Sequence, residues 1–351
     1  MAVKTIYLAG GCFWGAEHFL KRIHGIVSTQ VGFANGNTVA PSYKEVYTDT
    51  TGFAEAVKVD YDPDQLSLVF LIEMYFKAID PTSLNKQGED EGTRYRTGIY
   101  YSDPADLPAI KYVYDAVQRQ VGSPLAVELE PLKNYYSAED YHQDYLDKNP
   151  SGYCHLPESL FALSKGARCP MRKVRDFLEA NNIPYDIYFH PPLFTIAEAL
   201  EYWKDIDAVH CKNIFMRNHK GNRHYLASFE CHKDLDIHSL EHMLHQGKLS
   251  FASAERMERC LGLKPGSVSP FGLINDMNLA DVDPKELFEN GHRVKLYLDA
   301  DLQNAQKISF HPCDNSASVV VSNESFKKFL QLWAGEVEYL VIQQPCQKEQ
   351  E

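Results

Sequence analysis

The sequence predicts an α/β (α+β) protein built as two domains. Three observations carry this: stretches of period-two alternation are interspersed with stretches of helical spacing, 351 residues exceed one ordinary core, and the periodicity lapses once in mid-chain. The lapse runs from Lys148-Asn149-Pro150-Ser151-Gly152-Tyr153 through Pro157, which predicts domains over 1–158 and 159–342 with a frayed tail at 343–351.

Each element follows from its pattern. The run 4–9 reads as a buried strand that stops at Gly10-Gly11; Phe13, Ala16, Phe19, Leu20 and Ile23 then follow helical spacing, so Cys12 sits at a strand-to-helix turn. Val57, Val59 and Tyr61 alternate with Lys58 and Asp60 until Asp62-Pro63 ends the strand. Helices are expected near 66–79, 105–121 and 138–147, and strands over 95–101 and 125–129. In the second half a helix starts at Met171 (Val174, Phe177, Leu178), and a strand over 186–189 and a helix near 196–204 follow. Runs 209–217 and 223–230 flank Asn218-His219-Lys220-Gly221-Asn222, a hairpin signal. Another helix and the run 250–261 lead to a Gly/Pro-punctuated loop over 263–276, a strand at Val294, Leu296 and Leu298, and a helix near 323–333. No internal repeat or low-complexity segment interrupts this order.

Composition excludes several classes. With 44% hydrophobic residues the chain is not a disordered one, and no apolar run approaches the roughly 20 residues that span a bilayer. The first residues enter a strand-like run without a signal-peptide core, so a cytoplasmic protein without membrane partners is expected. The net charge of −13 speaks against a general polyanion binder. It is uneven, however: residues 1–158 carry −9 and residues 159–342 only −3, and 210–224 hold Lys212, Arg217, Lys220 and Arg223 with no acid. Eight cysteines with no Cys-x-x-Cys pair, in a chain read as cytoplasmic, are expected to be mostly free thiols.

Cys12 is the first candidate for chemistry. A thiol at the first turn of a helix faces unpaired N–H groups and the positive end of the helix dipole, which favours thiolate. A buried free cysteine is as often mere packing, but Gly10-Gly11-Cys12-Phe13-Trp14-Gly15 sets two aromatic rings beside the thiol, a wall suited to a methyl group on sulfur. This run resembles the signature of the A-type peptide methionine sulfoxide reductases. The resemblance covers residues 4 to about 155, through Pro41-Ser42-Tyr43-Lys44-Glu45-Val46, Thr51-Gly52-Phe53-Ala54-Glu55, Asp80-Pro81-Thr82, the run from Asn85 to Thr93, Tyr95-Arg96, and Ala138-Glu139-Asp140-Tyr141-His142-Gln143.

It implies a two-layer α/β sandwich that reduces methionine S-sulfoxide, free or in oxidised proteins, with no bound cofactor and with thioredoxin or another dithiol as reductant. Cys12 would be the nucleophile and Glu55 the acid that protonates the departing oxygen. Tyr43 and Tyr95 would donate hydrogen bonds to that oxygen, Phe13 and Trp14 form the methyl pocket, and Asp90 give polar support. The sequence departs from the family pattern at Phe53, usually His, and Arg94, usually Gln. Attack leaves a sulfenic acid that a second thiol must capture. Cys154, in a Gly-containing segment, resembles the recycling cysteine of some members, and Cys346 is its rival. Cys169, Cys211, Cys231, Cys260 and Cys313 are expected to pack. A peroxidase-like thiol enzyme lacks its Pro-x-x-x-Thr-x-x-Cys surroundings here.

In the second half, Lys212 stands inside an apolar strand, where an ammonium is costly unless an anion or carbonyl meets it; a lysine snorkelling at a sheet edge is the plainer alternative. Pro265-Gly266-Ser267-Val268 can turn backbone N–H groups toward a carbonyl or phosphate. Lys212-Asn213-Ile214-Phe215, Gly221, the loop from Pro265 to Asp276, and Phe310-His311-Pro312-Cys313-Asp314-Asn315 together resemble the free-standing prolyl-tRNA editing domains, the YbaK/ProX group, over about 165–335. The resemblance implies a mixed α/β domain that hydrolyses alanine wrongly esterified to proline tRNA, with water as nucleophile and no metal. Lys212 would anchor the tRNA 3′ end, the Gly266, Ser267 and Val268 backbone would orient the aminoacyl carbonyl, and Asn213 and His311 would line the pocket. Two enzymes in one chain is the expected reading; a reductase with a non-catalytic binding module is the alternative.

Overall fold

In the computed structural model, residues 2–193, 195–233, 237–277, 279 and 282–342 are described, so Cys346 and the expected tail at 343–351 lie outside the described residues. The chain divides into two compact units, Met1–Arg172 and Lys173–Glu351.

The first unit is built on β1 (Lys4–Gly10), α1 (Phe13–Leu20), β2 (Ile26–Ala34), α2 (Tyr43–Val46), β3 (Ala54–Tyr61), α3 (Leu68–Lys77), β4 (Lys86–Gln87), β5 (Asp90–Glu91), β6 (Thr97–Tyr101), α4 (Leu107–Val121), β7 (Glu128–Pro131), β8 (Tyr135–Ser137), α5 (Tyr145–Lys148) and α6 (Glu158–Gly166). Six strands form one sheet in the order β7-β6-β1-β3-β2-β8, antiparallel except for β6 with β7. Val57, Val59 and Tyr61 are buried while Lys58 and Asp60 are half-buried, the alternation the sequence predicts. Helix α1 packs its apolar face on β1, β2 and β3, which places the β1-to-α1 turn over the sheet.

Four expectations change. The helix expected over 138–147 is a series of turns ending in the one-turn α5, because side chains from elsewhere claim its backbone. Gln143 accepts the Val31 N–H and donates to the Val31 and Ala138 carbonyls, Glu17 accepts the Asp144 N–H, and Asp144 takes φ +52°. Tyr95 lies in a 3₁₀ turn over Thr93–Tyr95 and the strand begins at Thr97. The strand expected over 125–129 is shifted to Glu128–Pro131, since the Ala126 N–H donates to the Pro81 carbonyl at 2.7 Å. The units divide after Arg172 rather than after 158 because α6 packs on α1, with Phe161 edge-on to His18 at 4.8 Å and under Arg22 at 5.6 Å.

The second unit follows from α7 (Pro170–Ala180), which straddles the division, through β9 (Asp186–Phe189), α8 (Ile196–Trp203), β10 (Val209–Asn218), β11 (His224–Glu230), α9 (Ile237–Leu244), β12 (Leu249–Phe251), α10 (Ala254–Leu261), β13 (Val294–Asp299), β14 (Lys307–Phe310), β15 (Ala317–Ser322), α11 (Asn323–Trp333) and β16 (Val337–Leu340). Its mixed sheet runs β16-β13-β11-β10-β14-β15-β9, with β12 added beside β10. The hairpin β10–β11 pairs Lys212 with Phe229 and Asn213 with Ser228. A core of Phe215, Leu226, Leu296, Phe310, Phe329 and Trp333 lies on one side of this sheet, and Met216, Tyr225 and Tyr297 pack on the other. Among the described residues no helix is long and apolar enough to cross a membrane.

Candidate active site

In the first unit β1 ends at Gly10, Gly11 turns the chain at φ +77°, and Cys12 is the N-cap of α1. The thiol is 6% exposed, and the amides of Trp14 and Gly15 point at its sulfur. The expectation that this turn holds a thiolate is not met. Burial, the largest cause, pushes the thiol well above its ordinary range, and the neighbouring acids Glu55 and Asp90 act in the same direction against those amides. Cys12 therefore rests protonated.

Glu55 is brought to the thiol by β3. Its Oε2 accepts the Phe13 N–H at 3.0 Å, and burial raises its pKa to about 8, although that hydrogen bond and nearby Arg94 act to lower it. A carboxyl that keeps its proton at neutral pH can serve as an acid. Tyr43, at the first residue of α2 behind a Ser42–Glu45 capping box, and Tyr95 both have hydroxyls raised by burial and then by Glu55, so both remain donors. The two rings feel each other, Glu55 and Cys12 electrostatically, which gathers the four groups at one place.

The aromatic wall is larger than the sequence suggested. Phe13 lies 6.3 Å from Tyr43 and 6.4 Å from Trp14, and Trp14 stacks on Tyr145 at 3.7 Å. His142, buried and held neutral by that burial, accepts the Trp14 Nε1–H at 3.2 Å and lies 4.3 Å from the Tyr43 ring. Sequence reasoning gave His142 no role, although it stands in a run that carried the resemblance, and read Arg94 only as a departure from the family pattern. The Arg94 guanidinium lies over Tyr47 at 4.1 Å and Tyr95 at 4.3 Å and pairs with Asp49 at 2.6 Å, so the departure from Gln braces a site tyrosine. Phe53, the other departure, is buried edge-on to Tyr136, outside this group.

Asp90, on β5, faces Cys12 electrostatically and holds the Tyr153 hydroxyl. Cys154 lies on the first turn of α1: a Cβ added at Gly15 would stand 3.0 Å from its sulfur. The thiol is half-buried, and burial raises its pKa. Cys169, Cys211, Cys231, Cys260 and Cys313 are all buried.

In the second unit a cavity of about 400 Å³ is lined by Lys212, Asn213, Gly266, Val268 and His311, five of the six expected residues, with Trp203 and Lys233 beside them. Lys212 Nζ donates to the Lys233 carbonyl at 3.4 Å. Asn213 spans the wall, donating to the Val268 carbonyl at 2.9 Å and accepting from Ser228 at 2.7 Å. Ser267 does not line the cavity; its N–H donates to the Lys264 carbonyl, which removes that amide from the expected carbonyl-orienting set. His311 lies 3.2 Å from the Ala317 carbonyl through Nδ1, and burial lowers its pKa, leaving a neutral ring with Nε2 as acceptor. No sequence pattern points to Lys233, a buried cation tied to Asp299 at 2.8 Å and Asp301 at 2.6 Å.

An acid, two hydroxyl donors and an aromatic wall around a helix-capping cysteine define the first unit as a thiol oxidoreductase. The chain belongs to the peptide methionine sulfoxide reductase family: the family profile of that description matches residues 4–166, and the chain is 54% identical over 158 residues to the peptide methionine sulfoxide reductase MsrA of Clostridium acetobutylicum, covering 45% of this chain and 98% of that protein. A second profile, the aminoacyl-tRNA editing domain, matches residues 190–329. Among solved structures, reduced Mxr1 from Saccharomyces cerevisiae is similar at 42% identity and a TM-score of 0.42, covering 43% of this chain and 88% of that one. A chain described as a proposed trans-editing enzyme for prolyl tRNA synthetase is similar at 20% identity and a TM-score of 0.36, covering 50% and 99%.

Proposed function

We propose that the first unit reduces methionine S-sulfoxide, free or in oxidised proteins, by thiol attack, and that the second hydrolyses a mischarged aminoacyl-tRNA. The observation that carries the first reading is the Glu55 carboxyl hydrogen-bonded beside Cys12 and still protonated at neutral pH. In this reading the sulfoxide methyl lies on the Phe13 and Trp14 wall while Tyr43 and Tyr95 donate to the sulfoxide oxygen. The Cys12 sulfur attacks the substrate sulfur as Glu55 protonates the oxygen, a poor leaving group until then, and the Cys12 thiol proton passes to the Glu55 carboxylate, which restores the acid. Methionine leaves, the oxygen passes to Cys12 as sulfenic acid, and Cys154 captures it as a disulfide that thioredoxin reduces. The test is methionine release from S-sulfoxide by the purified protein: Cys12→Ser yields none, and retained turnover refutes the assignment.

For the second unit, the neutral His311, the cavity-lining Lys212 and the Asn213 brace support a small polar site for an aminoacyl ester with water as nucleophile. Alanine on proline tRNA is the proposed substrate, and the tRNA 3′ end would meet Lys212. Deacylation of a panel of mischarged tRNAs tests it, and failure with every member turns the reading to a non-catalytic binding module.

A further inference from the structure

The resolving segment brings a second titratable side chain to the β1-to-α1 turn. His155 lies over three glycines: an added Cβ would stand 3.3 Å from its Nε2 at Gly11, 3.1 and 3.2 Å from its Cε1 and Nδ1 at Gly15, and 3.3 Å from its Cβ at Gly88. The same point above Gly15 is 3.0 Å from the Cys154 sulfur, so thiol and imidazole edge share one spot on the first turn of the helix that Cys12 caps. The His155 side chain is 3% exposed, its Nδ1 stands 3.6 Å from Oδ2 of Asp90, the Gly10 carbonyl faces the ring, and neither ring nitrogen nor that Oδ2 has a well-formed hydrogen bond among the described residues. Buried polar atoms held only by such loose contacts beside two thiols are costly unless another state uses them.

We propose that His155, oriented by Asp90, is the proton relay of the resolving step, an inference that rests on Cys12 as nucleophile and Cys154 as its partner. As the Cys154 sulfur attacks the sulfenic sulfur of Cys12, its thiol proton passes to the imidazole. The S–S bond forms and the S–O bond breaks, so Cys154 is oxidised and the sulfenic sulfur reduced. The departing hydroxide takes the proton from the imidazolium and leaves as water, and His155 ends neutral. The charges match this role. Burial and the nearby Asp90 and Glu158 keep Cys154 a thiol that needs a base, while burial keeps His155 neutral against the pull of Asp90. The remaining ionisable groups facing the segment are Cys12, Glu55 behind it, and Glu89 and Tyr153 beside Asp90.

The experiment is a single turnover of the full-length protein with free methionine S-sulfoxide and no thioredoxin, following methionine release and, by mass spectrometry with sulfenic-acid trapping, closure of the disulfide. His155→Gln is expected to release about one methionine at the wild-type rate while disulfide closure slows by about 10²-fold. In the wild type, closure is expected to be flat near neutral pH and to fall as pH drops through the depressed imidazole pKa, a limb that His155→Gln lacks. Closure in His155→Gln at the wild-type rate overturns the relay. Should the variant not fold, the wild-type profile decides: closure that climbs about tenfold per pH unit toward pH 9, as free thiol ionisation dictates, also overturns it. Absence of any methionine burst in the wild type removes the reductase reading and the relay with it, whereas an intact burst with closure in Cys154→Ser overturns the relay and leaves the reductase reading standing.

Discussion

Glu55 on β3 accepts the backbone N–H of Phe13 at 3.0 Å, so the acid is bonded to the residue directly after the nucleophile. Any shift of α1 along the sheet would move Cys12 and strain this bond together, which keeps acid and thiol in one geometry.

Glu55→Gln keeps an acceptor for the Phe13 amide and removes the proton. Methionine release should fall by about 10²–10⁴-fold. The sign of the pH effect follows from a pKa raised from 4.5 to about 8: the acid is available below that value and is lost as pH rises through it. Pre-steady-state release measured from pH 6 to 9 should show this alkaline limb in the wild type and not in Glu55→Gln.

Cys154→Ser should release about one methionine per enzyme and then stall with thioredoxin, because the sulfenic acid on Cys12 lacks its partner. If it is Cys346→Ser that stalls, the tail cysteine is the resolving thiol.

Gly15→Ala should separate the two thiol steps. The added Cβ would crowd the Cys154 sulfur at 3.0 Å and the His155 ring at 3.1 Å, while the Ala itself favours the helix by about 1 kcal/mol. Methionine release should persist and disulfide closure slow by about tenfold, read by the same single-turnover assay.

Asp49→Ala strips Arg94 of its ion pair and of the carboxylate that also accepts the Arg94 and Thr93 donors. With the Asp49 side chain 31% exposed, the cost should be about 1–3 kcal/mol in denaturant unfolding. KM for sulfoxide should rise as well, because the guanidinium over Tyr95 loses its anchor.

The basic hairpin should give two separable effects. Lys212→Ala is expected to remove most deacylation at saturating tRNA. Lys220, exposed at the tip, is expected to lower the salt slope of binding by about 0.7–0.9 when changed to Ala, with hydrolysis intact. Arg223 is committed elsewhere, donating to the Lys285 carbonyl at 2.6 Å and lying over Phe288 at 5.1 Å, so its loss should cost stability rather than tRNA affinity.

The sequence by itself determined what is local: the strand-turn-helix that puts Cys12 at an N-cap, the outward Lys58 and Asp60, and the β10–β11 hairpin that carries Lys212 and Asn213. Each of these depends on a few consecutive residues, where periodicity and turn chemistry are strongest. Tertiary structure decided what depends on distant partners. Residues 138–147 have helical spacing, yet Gln143 and Glu17 draw their backbone into turns. Ser267 reads like its neighbours in the loop, yet its amide is spent on Lys264. Cys12 stands where a helix dipole favours thiolate, yet burial, with the acidic groups brought from β3 and β5 acting the same way, outweighs it, because desolvation and charge sum over everything the fold packs around a group.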